Sequence, residues 1–299
     1  MNSTLKEHLK ENELSALINL LDDPDEEVYR HVTDRLISLG TSIIPSLEDA
    51  WEKTFDPNLH FRLEELIHLI QFETLLKDLK RWAKKRSDNL LEGAILVSRY
   101  QYPDLSVAKI NAHIERISKE IWLEMNYNLT PLEQVNVFNH VMYQLNGFSG
   151  NTSNIHDPQN SYINVLLDSK KGNPVSLSIL YLILADKIKM PVYGINLPQH
   201  FVLSFHKEII EPDESEQKIR SSILFYINPF NKGIIFSRDD ITLFLKKLNL
   251  TPMQSHYLPC TNPDIIVSLI NSLIHSYELA GLGDKVIELG RMKEVILEA

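Results

Sequence analysis

The stretch Lys171–Phe205 constrains the fold of this chain more than any other. It reads KGNPVSLSILYLILADKIKMPVYGINLPQHFVLSF. A turn opens an apolar helix at Pro174, because proline is well tolerated in the first helical turn. The helix is expected to end just before Met190-Pro191, where a strand follows, and His200 lies near the start of a second strand. The segment therefore predicts a helix, two strands and a histidine in a fixed order.

Composition bounds the class of protein. The chain has 299 residues, 43% of them hydrophobic, which is enough for a sizeable core and about two domains. The net charge of -10 disfavours nonspecific binding to nucleic acid or to an anionic membrane. The apolar run Leu177–Ala185 is too short to span a bilayer. We expect neither nucleic acid nor membrane as a partner.

The single cysteine, Cys260, excludes an intramolecular disulfide and a cysteine-based zinc site. One thiol fits a reducing compartment, and residues 1–15 lack the apolar core of a signal peptide, so the cytoplasm is expected. The eleven histidines show no His-x-x-x-His or His-Glu-x-x-His spacing, and no glycine-rich phosphate loop occurs. The sequence thus predicts no metal and no cofactor, and it leaves the oligomeric state open.

Residues 1–86 are expected to be helical throughout. An Asp-Pro break at Asp23-Pro24 recurs 33 residues later at Asp56-Pro57, between amphipathic segments. The stretch LLDDPDEEVYR resembles a HEAT repeat, which implies helix faces that bind proteins. The alternative is a plain helical cap. A basic cluster, Lys77–Arg86, closes the region, either as a patch for phosphates or an acidic partner or as a solvated helix end.

The rest of the chain mixes helices with a few strands. Residues 88–148 are expected to be helical, and a charged loop is expected at Glu208–Ser221. The tail from Pro263 predicts two helices that look like one tetratricopeptide-style hairpin. Strands are predicted at Val192–Leu197, Phe201–Phe205 and Ile223–Ile227. The fold class is therefore α+β, predominantly α-helical.

Five short motifs occur in order along about 90 residues. They are GFSGN (147–151), NSYIN (160–164), GNPVSLS (172–178), LPQHF (197–201) and NPFNKG (228–233). Together they resemble the SirB-type branch of the transglutaminase-like superfamily. The resemblance implies a papain/transglutaminase-like core, a helix packed on a small antiparallel sheet, flanked by HEAT-like and tetratricopeptide (TPR)-like helices. We expect three regions, 1–86 HEAT-like, 87–258 core with a helical lead-in, and 259–299 hairpin.

The resemblance also implies three catalytic positions. In catalytic relatives the helix opens with Gly-x-Cys, and a proline follows the cysteine by 17 residues. Pro191 matches that proline, so Pro174 stands where the cysteine would be, and proline has no nucleophile. His200 matches the catalytic histidine, as a base or as a framework residue. Asn228 takes the place of an aspartate, and it can orient a histidine but cannot stabilise imidazolium by charge.

Two functions follow from this altered triad. The first is a non-catalytic protein-binding, scaffold or regulatory module, with another protein held near His200, Tyr162 and Ser176. The second is a residual hydrolase or amidase that uses His200 with Asn228 and either a serine or water. Ser176 in the first turn and Ser178 one turn on are the candidate serines, although Ser176 can simply cap the helix. Cys260 matches no catalytic motif and is expected to be a small packing residue.

Overall fold

The structure is a computed structural model that describes residues 13–126, 128–198, 200–211 and 213–299. The chain divides into two compact units, unit 1 (Met1–Asp78) and unit 2 (Leu79–Ala299). Residues 1–12, part of the predicted helical region, lie outside the described residues. The predicted division into 1–86, 87–258 and 259–299 stays a prediction.

Unit 1 consists of helices joined by short turns. Residues 13–19 are helical, and a 3-10 turn follows at Leu20–Asp22. The remaining elements are α1 (Glu26–Leu39), a 3-10 turn (Gly40–Ile43), α2 (Ile44–Lys53) and α3 (Pro57–Lys85), which continues past the end of the unit.

Two aspartates explain where the unit 1 helices begin. The Asp25 carboxylate accepts the backbone N–H of Glu27 at 2.8 Å, and the Asp56 carboxylate accepts that of Asn58 at 2.7 Å. Both therefore satisfy amide groups that a helix start leaves free. Pro24 precedes the first cap, whereas Pro57 is the first residue of α3. The two helix starts therefore do not follow the Asp-Pro spacing, and the HEAT-like assignment stays a prediction.

The core of unit 1 is small and apolar. Its buried side chains come from the inner faces of α1, α2 and α3 and from the two 3-10 turns. They are Leu21, Val32, Leu36, Ile43, Leu47, Leu63, Leu66 and Ile70.

Unit 2 is mostly helical as well. Its first helices are α4 (Leu90–Arg99), α5 (Val107–Glu124), α6 (Pro131–Asn139), a π-helical turn (His140–Leu145), α7 (Ile163–Ser169) and α8 (Pro174–Lys187). Those that follow are α9 (Glu216–Ser222), α10 (Arg238–Lys247), α11 (Asn262–Leu279) and α12 (Gly283–Leu297). The last two contact each other as a hairpin at the predicted place, and their TPR-like character stays a prediction.

The strands of unit 2 form two sheets. A parallel pair joins β1 (Ser149–Gly150) to β2 (Lys171–Gly172). An antiparallel sheet has the order β3 (Val192–Leu197), β4 (His200–His206), β5 (Ile223–Asn228) and β6 (Ile234–Phe236). The three predicted strands are present, whereas β6 and α10 were not predicted, and α9 lies where only a charged loop was expected.

Helix α8 occupies the centre of unit 2. Every residue from Ser176 to Ala185 is buried, because a helix that is apolar all round must be covered on every side. The helix packs on β3 and β4. A buried helix on a small antiparallel sheet within a mainly helical chain confirms the predicted fold class. Within the described ranges, every helix is too short or too polar to cross a membrane.

Candidate functional site

The start of α8 is held by a reciprocal cap. The Asn173 side chain accepts the backbone N–H of Ser176 at 2.8 Å, and the Ser176 hydroxyl accepts the backbone N–H of Asn173 at 3.0 Å. The same hydroxyl donates to the carbonyl of Asn160 at 2.5 Å. Pro174 follows the cap and has no N–H of its own to satisfy. Ser176 therefore serves as a helix cap, as its position in the first turn allowed.

Asn160 and Asn173 join three of the five motifs in one hydrogen-bond network. Asn151 donates from its side chain to the Asn160 side chain at 2.9 Å and from its backbone to the Gly172 carbonyl at 2.9 Å. Asn173 donates from its side-chain amide to the Ser161 hydroxyl at 2.8 Å. Both Asn160 and Asn173 are buried, so these bonds satisfy polar groups that water cannot reach. The motifs around residues 151, 160 and 173 thus share a structural role.

Two glycines of these motifs are required by close packing. A Cβ on Gly172 would lie 2.8 Å from the Ser176 hydroxyl oxygen, and a Cβ on Gly150 would lie 2.6 Å from the ring of Phe230. Both distances are shorter than carbon contacts allow, so a larger residue would displace the cap or the ring. The NPFNKG motif is thereby packed against the GFSGN motif.

A cavity of about 330 Å³ opens beside this helix start. Pro174 and Val175 line it from α8, Leu197 from the end of β3 and Phe201 from β4. Its polar lining consists of neutral or weakly basic side chains, His156, Asn173, Asn196, His200, Ser268, Asn271, Ser272 and His275. No carboxylate lines this cavity in the described part of the chain. An open cleft therefore lies between Pro174 and His200.

His200 is exposed at the rim of this cavity. Its ring lies 4.8 Å from the ring of Phe244, centroid to centroid, and it forms no hydrogen bond to any described residue. Partial burial lowers the pKa of His200 below its usual 6.5, so the ring is neutral at pH 7. A neutral imidazole with free ring nitrogens can accept or donate a hydrogen bond to a ligand.

Asn228 is not bonded to His200. The register of β4 and β5 sets Leu203 opposite Ile227, so the residue opposite Asn228 is Val202, two positions from His200. The Asn228 side chain accepts the backbone N–H of Asn231 at 3.2 Å and caps the short turn there. Among the described residues, then, the three positions of the altered triad do not form one hydrogen-bonded chain.

Tyr162 and the α8 serines do not line the cavity. Tyr162 is fully buried, and its hydroxyl lies 2.9 Å from that of Tyr277. Burial first, and this hydrogen bond second, raise the pKa of Tyr162 far above its usual value of 10.0. The Ser178 hydroxyl donates to the Pro174 carbonyl at 2.7 Å within the helix. These hydroxyl groups have structural partners.

Sequence reasoning missed the wall that α11 contributes. Ser268, Asn271, Ser272 and His275 recur every three or four residues along an apolar helix, and that spacing puts them on one face. The pattern was a detectable signal of a polar-lined surface. The ring of His275 lies 5.1 Å from that of His156, but no group of three metal-ligating side chains occurs among the described residues.

Two other titratable groups lie away from this cavity. The Cys260 thiol donates to the Gly194 carbonyl at 3.3 Å, and burial raises its pKa to about 12. His206 is completely buried and contacts the hydroxyls of Ser204 at 2.9 Å and Ser222 at 2.8 Å. Because the Ser222 hydroxyl donates to the carbonyl of Ile219, the His206 Nδ1–H donates to Ser222 and Nε2 accepts from Ser204.

A family model described as the transglutaminase-like superfamily matches residues 108–271, more than half of the chain. The chain belongs to this superfamily. The match includes the five motifs, α8 and the cavity-lining part of α11 up to Asn271. The matched region contains the start of α8 at Pro174, the antiparallel sheet and His200. That Pro174 stands at the family's nucleophile position stays a prediction.

Curated relatives match parts of this chain. A UPF0162 protein of Vibrio cholerae is 30% identical over 180 residues, 59% of this chain and 62% of the relative. A UPF0162 protein of Xylella fastidiosa is 31% identical over 118 residues, 38% of this chain and 41% of the relative. The human F-box only protein 21 is 26% identical over 165 residues, which are 47% of this chain and 26% of the relative. The chain thus spans less than two thirds of each relative, and no solved structure matches it significantly.

Proposed function

We propose that this protein is a non-catalytic transglutaminase-like module for binding, scaffolding or regulation, and that its cavity holds a short segment of a partner protein. The observation that supports the proposal is that Pro174 lines the open cavity. By the sequence resemblance, Pro174 takes the place of the family's cysteine. A cysteine there would gain reactivity from the helix N-terminus, whereas proline only shapes the backbone. The site keeps its shape and lacks its nucleophile.

The hydroxyl groups near the helix start support this proposal. The hydroxyls of Ser176 and Ser178 donate hydrogen bonds to the backbone carbonyls of Asn160 and Pro174, respectively. A serine becomes nucleophilic only with a base in hydrogen-bond reach, and neither serine is bonded to His200. The binding role needs none of these groups to react.

The lining of the cavity suits a short peptide segment. Apolar walls from Val175, Leu197 and Phe201 stand beside free amide and imidazole groups from Asn196, Asn271 and His200. Small binding sites combine an apolar lining with a few polar groups that fix orientation, and they begin at about 300 Å³. Amide and imidazole groups both accept and donate, as a peptide backbone requires.

Photo-crosslinking tests the binding role. p-Benzoylphenylalanine replaces Asn271, which is exposed and lines the cavity, or Leu243, which is exposed on α10 and does not. We expect one discrete cross-linked protein from a native lysate with the residue at 271 and none with it at 243. That protein is then purified and its affinity measured directly.

A cavity-filling variant completes the test. Asn271→Trp should raise the dissociation constant of the purified partner at least tenfold, because the indole occupies the cavity, whereas Leu243→Trp should leave it unchanged. Cross-linking of the same proteins from both positions, or equal affinity of both tryptophan variants, contradicts the proposal.

A residual hydrolase is the second candidate. Its support is the neutral His200 at the cavity rim, whose ring nitrogens have no hydrogen-bond partner among the described residues and can serve as a base toward water. A panel of ester and amide substrates is tested with the wild type and with His200→Ala. Turnover that His200→Ala abolishes favours the hydrolase; turnover that survives His200→Ala, or no turnover at all, favours the binding role.

A further inference from the structure

The net charge of the chain arises entirely in unit 1. Residues 1–78 contain 17 acidic and 7 basic residues, whereas residues 79–299 contain 23 of each. The formal charge of unit 1 is therefore -10 and that of unit 2 is zero. A field of one sign on a unit of this size attracts partners of the opposite sign.

Three aromatic side chains are exposed around the turn between α2 and α3. Phe55 is 96% exposed, Phe61 59% and Trp51 37%. The three fall within eleven residues of sequence. Burying large aromatic side chains would stabilise the fold. A cluster of them that stays exposed on a small unit therefore marks a contact surface.

Carboxylates surround these rings. Glu48, Trp51 and Glu52 recur at intervals of one, three and four residues, so they lie on one side of α2, and Phe55 lies two residues past the end of that helix. Phe61, Glu64 and Glu65 recur in the same way along α3. The Trp51 indole N–H donates to the Glu64 carboxylate at 3.0 Å and joins the two groups. We name these seven residues the acidic–aromatic patch.

The carboxylates of the patch have few partners of their own. Among the described residues, Glu48, Glu52 and Glu65 form no ion pair and no hydrogen bond, and all three are exposed. The nearby cations are engaged elsewhere. Lys53 pairs with Asp49 at 2.6 Å, and the Arg62 guanidinium donates to the Leu21 carbonyl at 2.6 Å. Negative charge in the patch is therefore uncompensated.

We propose that the acidic–aromatic patch binds an arginine- and lysine-rich segment of a partner protein. Guanidinium groups pair with carboxylates in forked hydrogen bonds and stack on aromatic faces, so one arginine can use both components of the patch. Phosphate-bearing partners are repelled by the same carboxylates. The proposal is independent of the cavity in unit 2, and each can hold without the other.

A designed peptide tests this surface. The probe is a fluorescein-labelled twelve-residue peptide of alternating arginine, lysine and leucine, and a second peptide carries glutamate in place of every cation. Fluorescence anisotropy with the full chain should show binding of the basic peptide alone, weakened by raising NaCl from 50 to 300 mM, since exposed charge pairs are screened.

Matched variants separate the patch from overall charge. Glu48→Gln/Glu52→Gln/Glu65→Gln should raise the dissociation constant about tenfold. Glu124→Gln/Glu211→Gln/Glu294→Gln removes the same charge from exposed positions of unit 2 and should change it less than twofold. Phe55→Ala should raise it about two- to fivefold, which corresponds to one exposed cation–π contact. Phe55 is almost fully exposed, so this truncation leaves the core intact.

Three results overturn the proposal. If the two triple glutamate-to-glutamine variants weaken peptide binding equally, the peptide responds only to net charge. Equal affinity of Phe55→Ala and the wild type removes the aromatic component. Sedimentation velocity that shows self-association lost in the patch triple, with no binding of the basic peptide, assigns the patch to a second copy of the chain.

Discussion

Units 1 and 2 differ in whether their polar side chains are exposed or buried. Among the described residues of unit 1 no polar residue is fully buried, although the Thr33 hydroxyl is, and these residues carry all of the net charge. Unit 2 has no net charge. Its described residues include twelve buried polar ones, Ser98, Ser118, Asn160, Ser161, Asn173, Ser176, Ser178, Ser204, His206, Ser222, His256 and Ser276. A buried polar group is costly unless it is hydrogen-bonded, so unit 2 depends on specific geometry where unit 1 depends on apolar packing.

That difference has a functional meaning. The bonds that Asn173 and Ser176 form fix the start of α8 and hence the wall of the cavity. A site that must keep one shape benefits from directional bonds, because apolar contacts alone tolerate repacking. The surface of unit 1 needs charge and exposed rings rather than a fixed interior.

The largest expected effect tests whether unit 1 depends on its apolar core. Leu47 is fully buried, and Leu47→Ala should lower the free energy of unfolding by about 4 kcal/mol. Leu39→Ala, at a position 36% exposed, should lower it by less than half as much. Native-state hydrogen exchange should show the loss within residues 13–78. Equal losses within α8 would show that the two units unfold together.

The pH dependence of unit 2 comes next. Burial lowers the pKa of His206 to about 4, and a nearby Glu214 opposes this only weakly. The unfolded chain, with a histidine pKa near 6.5, therefore binds more protons between pH 6.5 and 4, so this contribution is complete above pH 6.5 and is lost as pH falls toward 4. The loss is about 3 kcal/mol.

Urea unfolding from pH 7 to 4 measures this effect, with His206→Gln as the comparison because glutamine does not titrate. The variant should start less stable and decline less steeply. Carboxylates titrate in both proteins, so the difference between the two curves isolates His206. Parallel curves would mean that folding does not change the pKa of His206.

A smaller loss of stability tests the hydrogen-bond network at the start of α8. Asn173→Ala removes the bonds to Ser176 and Ser161 and should lower the free energy of unfolding by about 2 kcal/mol, more than an exposed cap because the freed partners stay buried. Thr130→Ala at the exposed cap of α6 should lower it by about 1 kcal/mol. Equal losses in the two variants would show that the buried network stabilises the fold no more than an exposed helix cap does.

The smallest expected effect concerns a cap of unit 1. Asp25 is solvent-exposed and accepts the amides of Glu27 and Val28. Asp25→Ala should lower the free energy of unfolding by about 1 kcal/mol, and Asp25→Asn should be nearly neutral, because asparagine caps almost as well. Chemical denaturation of both variants measures it. A loss above 2 kcal/mol would show that unit 1 depends on polar bonds as unit 2 does.

The sequence predicted the frame of unit 2 well because its signals were local. The apolar run of α8, the break at Pro191 and the short apolar segments of β3 and β4 lie within 35 residues. Strand β6 was missed because three residues carry too little alternation, and α9 because only Ser222 among its seven residues is buried, which leaves no apolar stripe.

The candidate site was harder to predict because its walls come from distant parts of the chain. Tyr162 was expected near a ligand, yet its partner is Tyr277, 115 residues away. His275 lines the cavity from α11, which sequence analysis treated only as part of a hairpin. Contacts of this range depend on how helices pack, and a single sequence gives no local signal for them.

Cys260 has a practical consequence for the comparison of the two units. It is the single thiol of the chain, and with a pKa of about 12 almost none of it is thiolate at neutral pH. Alkylating and maleimide reagents attack thiolates, so the native chain is close to inert toward them. Any exposed residue changed to cysteine then takes up one label per molecule. Phe55→Cys and Glu294→Cys, combined in one chain, would carry a pair of spin labels that reports the distance between unit 1 and unit 2 without prior removal of a native cysteine.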